Sequence, residues 1–291
     1  MSDTAAELFV TKIEIKASGA KLVGRLYEPS GAPRAAVVLH AATGVPQSYY
    51  AKFASWLATT EQVTVMTYDY RDFGESAVCS VRLSGASMVD WGVKDQSAAL
   101  DALCERFPSL PIWVVGHSLG GMYLPFHTGA DRVARVIAVA AGPAYWAKHP
   151  LSYMPQVILF WFLLGPIATW ILGYLPGKRL GLGADLPAQV YWQWRRWCLS
   201  PAFNRADWGK ALPNPDLKSV KADVTLVGIG DDVMIPPYFV RALANYYPAA
   251  RIDYREIAPK DIGSSAIGHL RLFTERCRAA WPVIMKPMAE A

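Results

Sequence analysis

Short apolar runs alternate with amphipathic stretches along most of the chain. The apolar runs lie at residues 35–39, 63–68, 112–115, 136–139 and 224–227. Runs of this kind are typical of parallel strands that are buried on both faces. Residues 49–57 and 89–107 instead carry apolar side chains at helical spacing. This alternation predicts an α/β fold, with helices on both faces of a mostly parallel central sheet.

Two further patterns extend the predicted sheet. Residues 8–15 and 22–27 alternate polar and apolar side chains, which predicts an antiparallel hairpin with one face in solvent. Residues 252–257 form the last strand that the pattern supports.

The chain between residues 143 and 215 differs in composition from its surroundings. It holds seven of the eleven tryptophans, and its seven basic and two acidic residues account for the net charge of +5. We therefore expect residues 143–215 to form a Trp-rich helical cap, inserted into a core made of residues 1–142 and 216–291.

Within this segment, residues 157–175 form an uncharged run of 19 residues, close to the length that spans a bilayer. Three interpretations fit the run: a transmembrane helix, a pair of short apolar helices that cover a pocket, and a peripheral contact with a membrane surface. Pro166 interrupts helical hydrogen bonding, and a span here would separate strands of one sheet across the membrane. The pair of short helices is the favoured interpretation.

Composition excludes several classes of protein. With 53% hydrophobic and 18% charged residues among 291, the chain is too apolar for a disordered protein. Its four cysteines are widely separated and its five histidines contain no i, i+4 pair, so we expect no disulfide framework, metal site or cofactor. Asp3 and Glu7 do not suit a signal peptide, which predicts a cytoplasmic protein. No nucleic-acid partner is expected.

The strongest chemical motif follows the predicted strand at residues 112–115. Gly116-His117-Ser118-Leu119-Gly120 has the pattern G-x-S-x-G, in which small neighbours let a sharp turn hold the serine hydroxyl clear of the sheet. The alternative is a glycine-rich phosphate loop, but this sequence lacks the lysine that a P-loop has. Ser118 is therefore a candidate nucleophile.

A serine nucleophile needs a base and a carboxylate that orients this base. His269 lies between the last predicted strand and a helix, and it is favoured over the other histidines by elimination and chain order. Asp231 and Asp232 both follow the strand at residues 224–227, at the edge where open α/β sheets place their sites. Asp232 is preferred as the acid, and Asp231 remains the alternative.

The tetrahedral intermediate of acyl transfer also needs two N–H donors for its oxyanion. One is expected from Leu119, directly after the candidate nucleophile. The other is expected from the loop His40-Ala41-Ala42-Thr43-Gly44, whose small residues permit close approach of a carbonyl group.

Taken together, HAATG, DYRDFGES, GHSLGG, GDDVMIP and GH, in this order, resemble the α/β-hydrolase fold family. ATGVPQSYYAKFA, TYDYRDFGES, LGYLPGKRLGLGADLPAQ and IGHLRLF are similar to a bacterial group of predicted hydrolases related to serine aminopeptidases and lysophospholipases. The resemblance implies Ser118 as nucleophile, Asp232 as acid, His269 as base and the Trp-rich segment as a lid. Ala41 stands where many relatives have glycine, so either Ala41 or Ala42 would supply the second oxyanion donor, and Ala42 is preferred.

The leading hypothesis is a serine hydrolase, resembling carboxylesterases and lipases, that cleaves a small ester with an apolar moiety. An apolar lid favours such a substrate because its walls bind by burial of area, and we expect four tryptophans to line the pocket: Trp146, Trp161, Trp192 and Trp194. The basic charge of the lid favours a substrate or a surface with negative charge. The alternatives are an acyltransferase with the same triad and a non-catalytic ligand-binding protein.

Overall fold

A computed structural model of the chain describes residues 7–288. Residues 1–6 and 289–291 lie outside the described residues. They include Asp3, on which the predicted localisation partly depends, and the two ends of the predicted core.

Within these residues, eight strands form one sheet in the order β1-β2-β4-β3-β5-β6-β9-β10, and β7 and β8 form a separate small sheet. The ten strands are β1 (Leu8–Ala17), β2 (Ala20–Pro29), β3 (Ala36–His40), β4 (Thr64–Tyr68), β5 (Ile112–His117), β6 (Val133–Val139), β7 (Tyr174–Leu175), β8 (Leu186–Pro187), β9 (Asp223–Ile229) and β10 (Ile252–Ile257). In the large sheet, β2 is antiparallel to β1 and β4, and the other neighbours are parallel. The predicted α/β fold and the amino-terminal hairpin are confirmed.

The central strands explain where the site forms. Every residue of β3 and β4 is buried, because these strands have neighbours on both edges and helices on both faces. The chain passes from β3 outward to β4 and then back to β5 on the other side of β3. Loops that leave the carboxyl ends of β3 and β5 therefore lie side by side at the point where the strand order reverses, which is the place where open α/β sheets bind ligands.

The principal helices of the core are α1 (Ala51–Glu61) and α2 (Gln96–Arg106), and a π-helical turn at Asp90–Asp95 leads into α2. Shorter helices follow the last strands: α6 (Pro237–Ala242), α7 (Gly268–Arg271) and α8 (Trp281–Met285). After β5 the chain forms three short 3₁₀ turns in place of a continuous helix. Pro125 lacks the N–H that a continuous helix would need there.

The chain between β6 and β9 carries the other helices. α3 (Met154–Ile158), a π-helical segment (Leu159–Leu164) and α4 (Gly165–Leu172) follow one another without a break, and α5 (Ala188–Cys198) packs against them. The predicted pair of short helices is thus wrong, because Met154–Leu172 is one helix of 19 residues. Pro166 lies in the interior of this helix, directly after wider π-helical turns, so its missing N–H falls where the regular α-helical hydrogen bonding is already interrupted.

Candidate active site

A strained turn presents Ser118 at the end of β5. Its φ of 52° lies in the left-handed region that residues with a side chain rarely adopt. A Cβ atom on Gly116 would lie 2.3 Å from the carbonyl oxygen of Gly120, and one on Gly120 would lie 2.0 Å from that of His40. Both glycines are therefore required by close backbone contacts, which explains the spacing of the motif.

Three side chains from distant parts of the chain meet at this turn. The Oγ atom of Ser118 lies 3.0 Å from Nε2 of His269. The Nδ1 atom of His269 lies 2.7 Å from Oδ2 of Asp232. Nucleophile, imidazole and carboxylate thus form one hydrogen-bonded series, the geometry that serine acyl transfer requires.

The two neighbouring aspartates have different partners. Oδ1 of Asp232 accepts the amides of Met234 and Ile235 at 2.8 and 2.9 Å. Burial acts to raise the pKa of the Asp232 carboxyl, but His269 and the two amides outweigh burial and hold this pKa below its ordinary value. The carboxylate is therefore ionised at neutral pH while it is bonded to the imidazole.

Asp231 instead binds the loop that carries the imidazole. Its two carboxylate oxygens accept the amides of Ile267 and Gly268 at 2.9 and 3.0 Å. Of the two aspartates left open by the sequence, the structure places Asp232 at the ring of His269 and Asp231 at the backbone just before it.

A second histidine lies behind His269. His117 is fully buried, and its Nε2 atom donates to the carbonyl oxygen of His269 at 3.0 Å. Its Nδ1 atom accepts from the hydroxyl of Tyr50 at 2.8 Å. Burial and the neighbouring His269 lower the pKa of His117 to about 3. His117 is therefore neutral at physiological pH, and its neutral ring can donate from Nε2 and accept at Nδ1.

The expected oxyanion donor in the loop after β3 has another partner. The amide of Ala42 donates to the hydroxyl oxygen of Tyr50 at 2.9 Å, in a buried position. This bond is at odds with the prediction for Ala42, because an amide bonded to a protein acceptor does not point at a substrate. Leu119 and Thr43 both line the space next to Ser118. Tyr50 was missed because nothing in the sequence pairs its hydroxyl with this amide.

A largely apolar cavity of about 360 Å³ opens over Ser118 and His269. Of the four tryptophans expected at the pocket, Trp161 and Trp194 line this cavity, and Trp197 lines it as well. Trp146 and Trp192 are not among the described residues that line the cavity: the ring of Trp146 packs on Phe162 and that of Trp192 on Tyr191. Alternate positions along a helix face different ways, so only part of a Trp-rich sequence can face one cavity.

The chain between β7 and β8 closes one side of the cavity. Leu180, Gly181 and Leu182 line it, and the amide of Ala184 donates to the carbonyl oxygen of Gly44 at 2.8 Å. The Trp-rich segment is thereby hydrogen-bonded to the loop that follows β3. In the part of the chain that the structure describes, no group of three His, Cys, Asp or Glu side chains is placed to hold a metal ion.

Comparison with known proteins gives the family. A family model described as "Alpha/beta hydrolase family" matches residues 36–262. The chain belongs to the alpha/beta hydrolase family. The matched range runs from β3 to the 3₁₀ turn after β10 and so includes Ser118 and Asp232.

Individual relatives of this family member are distant. Human monoglyceride lipase is 26% identical over 118 residues, which are 40% of this chain and 37% of the lipase. The chain therefore matches little more than a third of that protein's length. An esterase of Pyrococcus furiosus has a similar structure, with a TM-score of 0.59 and 14% identity over 96% of this chain and 89% of the esterase. A thermophilic carboxylesterase from a metagenomic library also has a TM-score of 0.59, with 15% identity over 96% of this chain and 88% of the carboxylesterase.

Proposed function

We propose that this alpha/beta hydrolase family member is a serine hydrolase that cleaves carboxylic esters with an apolar moiety. The observation that carries the proposal is the hydrogen-bonded series Ser118, His269 and Asp232, which opens into an apolar cavity. The names of the relatives, an esterase, a carboxylesterase and a lipase, support ester chemistry.

In the proposed first step, Oγ of Ser118 attacks the ester carbonyl carbon while Nε2 of His269 takes the hydroxyl proton. Asp232 stabilises the imidazolium and keeps Nδ1–H of His269 directed at its carboxylate. The tetrahedral intermediate collapses, and the alcohol leaves with the proton from Nε2. Water then attacks the acyl-enzyme while His269 takes its proton. The second tetrahedral intermediate collapses, the acid leaves, and His269 returns the proton to Oγ of Ser118.

The negative oxygen of the intermediate needs N–H donors near Ser118. The amide of Leu119 is the proposed first donor, as in the sequence prediction. The second is proposed to come from the loop after β3, where Thr43 borders the cavity. The amide of Ala42 could serve only after its bond to Tyr50 breaks.

Labelling with a fluorophosphonate tests the nucleophile directly, because this reagent phosphonylates an activated serine. We expect one adduct by intact mass on the wild type and none on Ser118→Ala. Ser55→Ala is the matched control, since Ser55 lies on α1 and its hydroxyl donates to the backbone carbonyl of Ala51. An unlabelled, folded wild type would contradict the proposal.

A series of p-nitrophenyl esters then tests the substrate class. We expect kcat/KM to rise with acyl length until the cavity is filled. Each methylene that becomes buried should stabilise the transition state by about 0.8 kcal/mol. Rates that are indifferent to acyl length would contradict the apolar pocket. Formation of a new ester with added alcohol, in place of free acid, would identify an acyltransferase.

A further inference from the structure

The helix Met154–Leu172, here named the apolar helix, contains no charged residue. It is long and apolar enough to cross a membrane by length and composition, yet only 22% of it is buried. Its buried residues, Val157, Trp161, Gly165 and Thr169, recur at every fourth position. One stripe of the helix therefore packs against the protein, and most of its other residues are exposed.

The outward surface of the apolar helix is as hydrophobic as its buried stripe. Its large side chains are between 42 and 81% exposed: Ile158, Leu159, Phe162, Leu163, Leu164, Ile167, Trp170 and Ile171. A helix with one face in water normally carries polar residues on that face. A continuous apolar patch of this kind marks a surface that contacts another apolar phase or partner.

Basic side chains border this patch. The Arg195 guanidinium lies 5.9 Å from the centroid of the exposed Phe162 ring. Exposed Arg82 packs beside Gly173 at the end of the helix, and exposed Lys178 and Arg179 follow it in the chain. The local charge therefore suits an anionic partner.

The two carboxylates of residues 143–215 offset only part of this charge, because the segment holds seven basic residues against these two. Asp207 accepts from Arg196 and from the indole N–H of Trp197. Asp185 accepts from the backbone amide of Lys178 at 3.1 Å.

The patch is continuous with the mouth of the candidate active site. Leu159 and Leu164 are each 42% exposed and also line the cavity over Ser118. The exposed apolar patch and the wall of the cavity thus share these two side chains.

We propose that the apolar helix lies flat in the surface of an anionic phospholipid bilayer. Its exposed face contacts the acyl chains, and the flanking Arg and Lys side chains contact the headgroups. A second part of this proposal rests on the proposed ester hydrolysis. The substrate is a lipid-like ester that enters the cavity from the bilayer.

The contacts of the buried stripe favour flat docking over a transmembrane arrangement. A Cβ atom on Gly165 would lie 2.2 Å from the hydroxyl of Tyr191, which shows how closely the apolar helix packs on α5. The carbonyl oxygen of Trp161 accepts from Nε of Arg195 at 2.6 Å. Spanning would break these contacts, whereas flat docking leaves all of them intact.

Co-sedimentation with vesicles tests the docking independently of catalysis, using Ser118→Ala protein so that no ester is consumed. We expect binding to phosphatidylcholine vesicles that contain phosphatidylglycerol, and weaker binding to phosphatidylcholine alone. Leu163→Glu and Ile167→Glu should each lower the partition coefficient about tenfold or more, because each removes an apolar side chain from the lipid phase. Val78→Glu is the matched control, since Val78 is 84% exposed and lies outside the apolar helix.

Several results would overturn the docking proposal. These are absence of wild-type binding to either vesicle, an equal loss in Val78→Glu, and retention on membranes after an alkaline carbonate wash, which indicates spanning. A concentration-dependent dimer that Leu163→Glu abolishes, without vesicle binding, would show that a second copy covers the patch.

Kinetics separate the docking from the proposed function. With Ser118 intact, Leu163→Glu should hydrolyse soluble p-nitrophenyl butyrate at the wild-type rate but lose about tenfold or more on a long-chain monoacylglycerol embedded in anionic vesicles. Equal rates on both substrates would overturn entry from the bilayer. Absence of turnover on both substrates in the wild type would refute the proposed function and leave the vesicle-binding result standing.

Discussion

The hydroxyl oxygen of Tyr50 lies 2.8 Å from Nδ1 of His117. The same oxygen accepts the amide of Ala42, and Nε2 of His117 donates to the carbonyl oxygen of His269. Since a carbonyl can only accept, the neutral His117 ring must carry its proton on Nε2, and Tyr50 must donate to Nδ1. One buried phenol and one neutral imidazole thus link the loop after β3 to the backbone of the proposed base.

Replacement of Tyr50 by phenylalanine should destabilise the protein. It leaves the amide of Ala42 and Nδ1 of His117 buried without their partner, and we expect a loss of about 1–3 kcal/mol per group in the free energy of unfolding. Chemical denaturation measures this loss. Tyr49→Phe is the matched control, because the buried hydroxyl of Tyr49 has no hydrogen-bond partner among the described residues. Equal losses in the two variants would contradict the network.

The adjacent aspartates should differ in their effect on catalysis. Asp232→Asn removes the charge that stabilises the His269 imidazolium, and we expect kcat to fall by about 10⁴. Asp231→Asn can satisfy only one of the two amides of the base loop, and the resulting displacement should lower kcat by about 10- to 100-fold. Steady-state kinetics on one soluble ester compares them. A larger loss in Asp231→Asn would reverse the proposed roles.

The positive φ of Ser118 gives a prediction about stability that is separate from chemistry. Ser118→Gly should be more stable than Ser118→Ala by about 1 kcal/mol, because glycine has no Cβ atom to clash in the left-handed region. At Ser55, within α1, the order should be the opposite: Ser55→Ala should be more stable than Ser55→Gly by about 1 kcal/mol. Denaturant titration of the four variants measures both differences. The same order at both positions would show that Ser118 is not strained.

His117 should make stability depend on pH. Its pKa of about 3 in the folded protein is below the ordinary value of 6.5. Between these values the unfolded chain binds a proton that the folded protein does not, so stability falls as pH decreases from 6.5 towards 3. His117→Asn should reduce the slope of unfolding free energy against pH by about 1.4 kcal/mol per pH unit near pH 5. An unchanged slope would show that His117 is not buried in its neutral form.

Local sequence patterns were sufficient to locate the strands of the large sheet and the sharp turn at Ser118. A parallel strand that is buried on both faces must be apolar throughout, so β3 and β4 could be located from their apolar runs alone. The turn at Ser118 was also visible, because only glycine at residues 116 and 120 permits its close backbone contacts. Such constraints act between residues that are near in the chain.

Contacts between distant residues decided the rest. Asp231 and Asp232 have the same side chain and neighbouring positions, and only the approach of the loop at residues 267–269 gives them different partners. The amide of Ala42, predicted as an oxyanion donor, is hydrogen-bonded to Tyr50 instead. Two of the four predicted tryptophans are not among the described residues that line the cavity.

The sequence by itself determined the α/β class, the sharp turn at Ser118 and the order of the proposed triad, because each depends on local polarity or backbone sterics. Tertiary structure alone decided which carboxylate meets His269 and which amides remain unbonded. It also decided that the apolar helix is continuous through Pro166 and exposes most of its circumference. These outcomes depend on packing between segments far apart in the chain, which hydrophobic periodicity does not encode.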